Sequence, residues 1–133
     1  MDRIFLDACV LFSAAYNQTS PLRRLWALSD AMLLSSSYAV AEAERNIAVL
    51  RPEQLGDLER LASKLKLVEA VRFRLPDQAA SLPEKDAPIL LAAINARASH
   101  LLTVDKKHFG ALCGQTIGGV LVLTPGEFLR PRR

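Results

Sequence analysis

The chain has 133 residues, 50% of them hydrophobic and 23% charged, so it is long enough to bury one core and too apolar to stay disordered. We expect one domain over residues 1–133, with a short basic tail at residues 129–133. No apolar run approaches the roughly 20 residues of a membrane-spanning helix, so we expect a cytoplasmic protein without a membrane partner. The net charge of +3 is too small to indicate nucleic acid by itself.

Short apolar runs alternate along the chain with longer segments whose apolar residues recur every three or four positions. The short runs predict strands at residues 3–6, 32–35, 66–71, 100–104 and 120–123. The longer segments predict helices at residues 21–28, 38–50, 52–65, 87–98 and 106–112, and a capping-box pattern at residues 124–127 predicts a last short helix. This alternation predicts an α/β fold of three layers, α/β/α, with a mainly parallel central sheet.

Four acidic residues fall where the carboxyl edge of such a sheet should pass. Asp7 and Asp105 follow predicted strands, Asp86 precedes the helix at residues 87–98, and Glu42 lies about one turn into the helix at residues 38–50. Ligands of parallel α/β sheets bind beyond the carboxyl ends of the strands, so these carboxylates could converge. Converging carboxylates repel one another unless a cation neutralises them, and all-oxygen ligation favours Mg²⁺ or Mn²⁺ over zinc.

Each acid also has a purely structural interpretation. Asp7 could simply end a strand, Asp86 and Asp105 could cap helices, and Glu42 could be a solvated helix residue. Glu44 is an alternative second acid, but successive helix residues are about 100° apart, so Glu42 and Glu44 cannot face the same centre. We choose Glu42.

The segments around these acids resemble the PIN-domain family, the fold of the toxin ribonucleases of VapBC-type modules. The resemblance lies in residues 4–11, 36–47, 85–93 and 102–109, which carry the four acids in the family's order. It implies a Mg²⁺- or Mn²⁺-dependent endoribonuclease whose catalytic metal ligands, direct or through water, are Asp7, Glu42, Asp86 and Asp105. In the implied mechanism the metal activates water to attack a phosphodiester bond of single-stranded or structured RNA.

The resemblance further implies an antitoxin partner, as in type II toxin-antitoxin modules, and a homodimer. The apolar stripes at residues 22–28 and 55–65 should be mainly core, and the remainder would suit such partners. Candidates for substrate binding lie around the fourth acid, each with packing or solvation as the structural alternative: Thr103, Lys106, Lys107 and His108. Neutralising the four acids would leave ten acidic against 17 basic residues, a net charge of about +7 around the pocket.

The chain departs from the family pattern at two places. Lys107 and His108 occupy a stretch where many PIN domains carry a further acid, which leaves the number of metal ions open. Ala8 and Cys9 lack the polar side chains that often support the first acid, and Cys9 is expected to pack beside the site. Two rival functions also stay open. One rival is a catalytically degenerate PIN fold that serves as a binding or scaffold protein. The other is a Mg²⁺-binding phosphoacceptor receiver module, which would have paired acids at the first strand end and a lysine where this chain has Thr124.

Overall fold

A computed structural model describes residues 1–69 and 74–130. Its strands are β1 (Asp2–Leu6), β2 (Ala31–Ser35), β3 (Lys66–Leu67), β4 (His100–Leu102), β5 (Thr116–Ile117) and β6 (Val120–Leu123). Its α-helices are α1 (Ala8–Tyr16), α2 (Ser37–Leu50), α3 (Leu55–Ser63), α4 (Ala87–Asn95), α5 (Lys106–Phe109) and α6 (Pro125–Leu129). Shorter 3-10 helices lie at Pro21–Ala27, Pro52–Gln54, Asp77–Ala79, Glu84–Asp86 and Gly110–Leu112.

Most predicted elements are confirmed, with differences at their ends. The third and fourth strands are shorter than predicted, and residues 70–71 of the third lie outside the described residues. The helix predicted at residues 87–98 ends at Asn95, and the one at residues 21–28 is a 3-10 helix. The last helix opens with the predicted capping box of Thr124 and Glu127. Within the part of the chain that the structure describes, no helix is long and apolar enough to cross a membrane.

The sheet has the strand order β3-β2-β1-β4-β6-β5, and among the described strands only β5 runs antiparallel to its neighbour. The chain moves outward from β1 through β2 to β3, and then returns to place β4 on the other side of β1. A reversal of this kind creates the crevice in which α/β sheets bind ligands. Receiver modules have the parallel order 2-1-3-4-5, so the observed order excludes that rival.

Helices cover both faces of the sheet, as the predicted α/β/α layers require. Successive strand residues point to opposite faces. Phe5 belongs to a buried cluster with Ile89 of α4, whereas Ile4 belongs to a second cluster with Leu11 of α1 and Leu58 of α3. The stripes at residues 22–28 and 55–65 mostly join this second cluster, so they are mainly core.

The helix α1 is absent from the sequence-based prediction. Most of its residues are apolar and five of its nine are buried, so it lacks the polar face that makes helical periodicity visible. It begins directly after β1, where Asp7 Oδ1 accepts a hydrogen bond of 2.6 Å from the Ala8 N–H. The first acid therefore both ends a strand and caps a helix.

The hairpin of β5 and β6 was also missed. Gly118 and Gly119 connect the two strands with φ of +56° and +86°, the left-handed conformation that a tight two-residue hairpin turn requires. The Gly-Gly pair between apolar residues was the available signal. This hairpin adds an antiparallel edge strand to the sheet.

Candidate metal centre

The first and fourth acids meet where the sheet order reverses. Asp7 follows β1, and its backbone N–H donates a 3.1 Å hydrogen bond to the carbonyl of Leu102, the last residue of the adjacent β4. Asp105 follows three residues later and caps α5 by accepting a 3.1 Å hydrogen bond from the His108 N–H through Oδ1. Because the cap uses only Oδ1, Oδ2 of Asp105 remains available as a metal ligand.

Asp86, Asp105 and His108 converge at this edge. His108 Nδ1 lies 2.9 Å from Asp105 Oδ2 and 3.1 Å from Asp86 Oδ2. One ligand atom from each of the three residues lies within 4.8 Å of the others, close enough to share a metal ion. Asp86 reaches the group from the 3-10 helix that precedes α4.

Asp86 does not have the capping role that its sequence position allows. Its side chain makes no capping hydrogen bond to α4, and only 9% of it is exposed. Within the part of the chain that the structure describes, its Oδ2 has no hydrogen-bond partner. Burial raises the pKa of Asp86, although the His108 and Lys85 charges oppose the rise. A buried carboxylate oxygen without a hydrogen bond is costly, and a bound cation would satisfy it.

Asp7 sits beside this group in a buried hydrogen-bond network. The Thr103 hydroxyl donates to Asp7 Oδ2 at 2.8 Å and accepts from the Asp105 N–H at 3.0 Å, while the Cys9 thiol donates to the same Asp7 oxygen at 3.3 Å. Burial raises the pKa of Asp7 to about 6 against these hydrogen bonds, and the charge of Asp86 adds to the rise. Burial and the charge of Asp7 raise the pKa of Cys9 to about 12, so its thiol stays a protonated donor.

Glu42 lies outside the three-residue group. It is half-buried on α2, whereas Glu44 is exposed. Tyr38, one turn earlier, donates from its hydroxyl to the Lys85 carbonyl at 2.5 Å. Burial raises the pKa of Tyr38, and the charges of both Glu42 and Asp86 add to the rise. Tyr38 therefore links α2, the helix that carries Glu42, to the turn that carries Asp86.

The expected substrate contacts fall into different environments. Thr103 is buried, and its hydroxyl is hydrogen-bonded to the Asp7 carboxylate and to the Asp105 backbone N–H. Lys107 is exposed. Lys106 is exposed too, but it lines a groove with Thr124 and Glu127 beside α6. Sequence analysis did not single out Lys85, although it directly precedes Asp86.

His108 was considered from the sequence only as a phosphate donor or packing residue. The structure instead places its Nδ1 within 3.1 Å of one carboxylate oxygen of each aspartate. The available signal was its spacing: residues three apart share a helix face, so His108 follows Asp105 onto the same side of α5.

Comparison with known proteins agrees with this architecture. Residues 3–107 match the family model described as the PIN domain, whereas no curated protein gives a significant match. Among solved structures, the chain is similar to VapBC2 from Rickettsia felis, which was solved bound to a DNA fragment from the VapBC2 promoter. The TM-score is 0.65 and the sequence identity 14%, over 92% of this chain and 98% of that one.

Two further structures have the same fold. Mycobacterium tuberculosis VapC20, a toxin that cleaves the sarcin-ricin loop, is similar with TM-score 0.59 and 16% identity over 81% of this chain and 94% of that one. VapBC-1 from nontypeable Haemophilus influenzae gives TM-score 0.59 and 13% identity over 92% and 98%. At such low identities, structural similarity establishes the fold alone. Because the family model spans well over half of the sequence, however, the chain belongs to the PIN-domain family.

Proposed function

We propose that this chain is a divalent-metal-dependent endoribonuclease that hydrolyses phosphodiester bonds of single-stranded or structured RNA. The observation that carries the proposal is the buried Asp86 Oδ2, which has no hydrogen-bond partner among the described residues and lies beside Asp105 and His108 where the sheet order reverses. A cation would satisfy this oxygen, and a hard cation held by carboxylates beyond the carboxyl ends of the strands is suited to phosphate chemistry.

The residues around this point have different roles in the proposed reaction. Asp86 and Asp105 hold Mg²⁺ or Mn²⁺, and Asp7 and Glu42 complete the site directly or through water. When bound, the ion supplies Lewis-acid catalysis, which activates water and stabilises negative charge on the phosphate. Thr103 positions Asp7 through its hydroxyl instead of contacting RNA. The exposed Lys107, together with Lys85 and Lys106, binds the RNA backbone by charge.

The decisive experiment is RNA cleavage by the purified protein with Mg²⁺ or Mn²⁺. We expect cleavage to stop with a chelator and to fall at least 100-fold in Asp7→Asn and Asp105→Asn, on the order of a lost electrostatic catalytic group. Asp77→Asn is the matched control, because the Asp77 side chain is 96% exposed. Cleavage that survives both site substitutions would indicate a contaminant or another site, and inactivity across diverse RNAs would favour the scaffold alternative.

We also propose that the chain is the toxin of a type II toxin-antitoxin module, active in the cytoplasm, with an antitoxin and a second copy of itself as partners. The solved complexes VapBC2 and VapBC-1 support this proposal through their shared fold. Val49 and Leu50, 80% and 61% exposed at the end of α2, provide apolar surface for a partner. Expression should arrest growth, and co-expression of a short reading frame directly upstream should relieve the arrest. Light scattering of the purified chain tests the homodimer.

A further inference from the structure

We propose that His108 Nδ1 is itself a metal ligand, which gives Asp86, Asp105 and His108 a mixed oxygen and nitrogen donor set that binds Mn²⁺ more tightly than Mg²⁺. This inference deepens the metal site of the proposed ribonuclease and rests on that site. It assigns the histidine a role different from phosphate binding, and it predicts which ion the chain selects.

The separations between the donor atoms fit a shared ion. Two adjacent ligands of an octahedral ion, each about 2.1 Å from it, are about 3 Å apart because they subtend a right angle. His108 Nδ1 lies 2.9 Å from Asp105 Oδ2 and 3.1 Å from Asp86 Oδ2. Both separations are therefore those of neighbouring ligands around one ion.

Direct hydrogen bonds do not account for these contacts. Despite the short distances, Asp86 Oδ2 and His108 Nδ1 are both buried without a hydrogen-bond partner among the described residues, because neither contact meets the geometry of an N–H···O bond. An imidazolium bound to a carboxylate would point its N–H at an oxygen, whereas two ligands of one ion need not point at each other.

The backbone holds the imidazole in place for this role. Asp105 Oδ1 caps α5 through the His108 N–H, so the helix start and the two metal-facing side chains form one unit. Asp86 arrives from a separate segment, and its side chain is nine-tenths buried against the ring. Ligation through Nδ1 requires the proton of the neutral ring to reside on Nε2.

A nitrogen donor changes the ion that the site prefers. Mg²⁺ is a hard ion that takes oxygen ligands and retains its waters, so an imidazole contributes little to its binding. First-row transition ions accept imidazole nitrogen readily, and Mn²⁺ combines that tolerance with affinity for carboxylates. The chain should therefore bind Mn²⁺ more tightly than Mg²⁺. Replacing the imidazole with a carboxylate should reduce this difference in affinity between the two ions.

The test is Mn²⁺ binding to the full chain, followed by electron paramagnetic resonance. Titration gives the affinity, and pulsed spectra of the bound ion report hyperfine coupling to a ligating imidazole nitrogen. We expect that coupling in the wild-type chain and its loss in His108→Asn, with Mn²⁺ affinity about tenfold lower or more and Mg²⁺ affinity much less changed. His108→Asp should also lose the coupling, but should retain Mg²⁺ binding through an all-oxygen set.

His100→Gln is the matched control, because His100 begins β4 at the end of the strand away from Asp105, and its ring packs against that of Phe128 with the ring centroids 4.9 Å apart. It should keep both the nitrogen coupling and the Mn²⁺ affinity. Bound Mn²⁺ without nitrogen coupling, or a His108→Asn chain with unchanged Mn²⁺ affinity, would overturn the inference and leave the ribonuclease proposal standing. Intact nitrogen coupling in a chain that cleaves no RNA would overturn only the ribonuclease, and absence of Mn²⁺ binding would overturn both metal roles.

Discussion

Thr103 donates a 2.8 Å hydrogen bond from its hydroxyl to Asp7 Oδ2, although the two residues are 96 positions apart in the chain. The same hydroxyl oxygen accepts a hydrogen bond from the backbone N–H of Asp105. One buried side chain thereby sets the first acid relative to the fourth. This is possible because β1 and β4 are parallel neighbours, and their carboxyl ends lie side by side.

Replacing that hydroxyl tests its positioning role. Thr103→Val keeps the side-chain shape but leaves Asp7 Oδ2 and the Asp105 N–H each short of a buried partner. We expect the free energy of unfolding to fall by about 1–3 kcal/mol and Mn²⁺ to bind more weakly. Thr103→Ser, which retains the hydroxyl, should preserve both. Urea denaturation and Mn²⁺ titration provide the measurements, and a valine variant indistinguishable from wild type would contradict the role.

Asp7 should make the stability of the metal-free chain depend on pH. Its pKa rises from the ordinary 3.8 to about 6 on burial, so the folded chain binds this proton more tightly than the unfolded chain. The resulting stabilisation is complete below the unfolded pKa and is lost as pH rises through about 6. At neutral pH, ionised Asp7 therefore lowers the free energy of unfolding by up to about 3 kcal/mol.

Asp7→Asn removes this destabilising charge, because the amide does not ionise. The free energy of unfolding of the metal-free variant, measured by urea denaturation in chelator, should rise relative to that of wild type by about 2 kcal/mol between pH 4.5 and pH 7.5, because wild type loses stability as Asp7 ionises. Adding Mn²⁺ should stabilise wild type more than the variant, because an ion that binds only the folded state adds stability. A stability difference that is constant across this pH range would refute the raised pKa.

Tyr38 should influence the metal site more than the stability of the chain. Tyr38→Phe removes the hydroxyl that donates to the Lys85 carbonyl, which loosens the turn carrying Asp86. Because the carbonyl can turn to water, we expect a stability loss of only about 0.5–1 kcal/mol, together with weaker Mn²⁺ binding. Tyr16→Phe is a matched control, since both tyrosines are 39% exposed. Equal effects of the two substitutions on Mn²⁺ affinity would contradict the anchoring role.

Asp57 should carry stability without affecting the site. It is buried, accepts a 2.8 Å charged hydrogen bond from Arg23 and contacts Arg60, which ties the 3-10 helix at Pro21–Ala27 to α3. Asp57→Asn should cost about 1.5–3 kcal/mol of unfolding free energy, because it removes the charge of a buried carboxylate that accepts a hydrogen bond from a guanidinium. The exposed control Asp77→Asn should change it by less than about 0.5 kcal/mol. Mn²⁺ titration of the folded Asp57 variant should match wild type, and a weaker affinity would show that this pair also shapes the site.

Local patterns predicted much of the architecture. Strands buried on both faces are apolar runs, and a polar residue at the end of such a run stands out, which is how Asp7 and Asp105 were recognised. The capping box at Thr124 and Glu127 is equally local. By contrast, α1 was missed because its burial leaves no polar face, so its periodicity carries no signal.

Residues close together in the chain were enough to predict the α/β class, the approximate strand positions and the acids to test. Contacts between distant segments set the rest: Asp86 is a buried carboxylate that does not cap α4, and His108 Nδ1 lies 3.1 Å from its Oδ2. The physical reason is the order of the sheet. Placing β4 beside β1 joins segments nearly 100 residues apart, and burial, hydrogen bonding and the pKa of Asp7 are all consequences of that long-range contact.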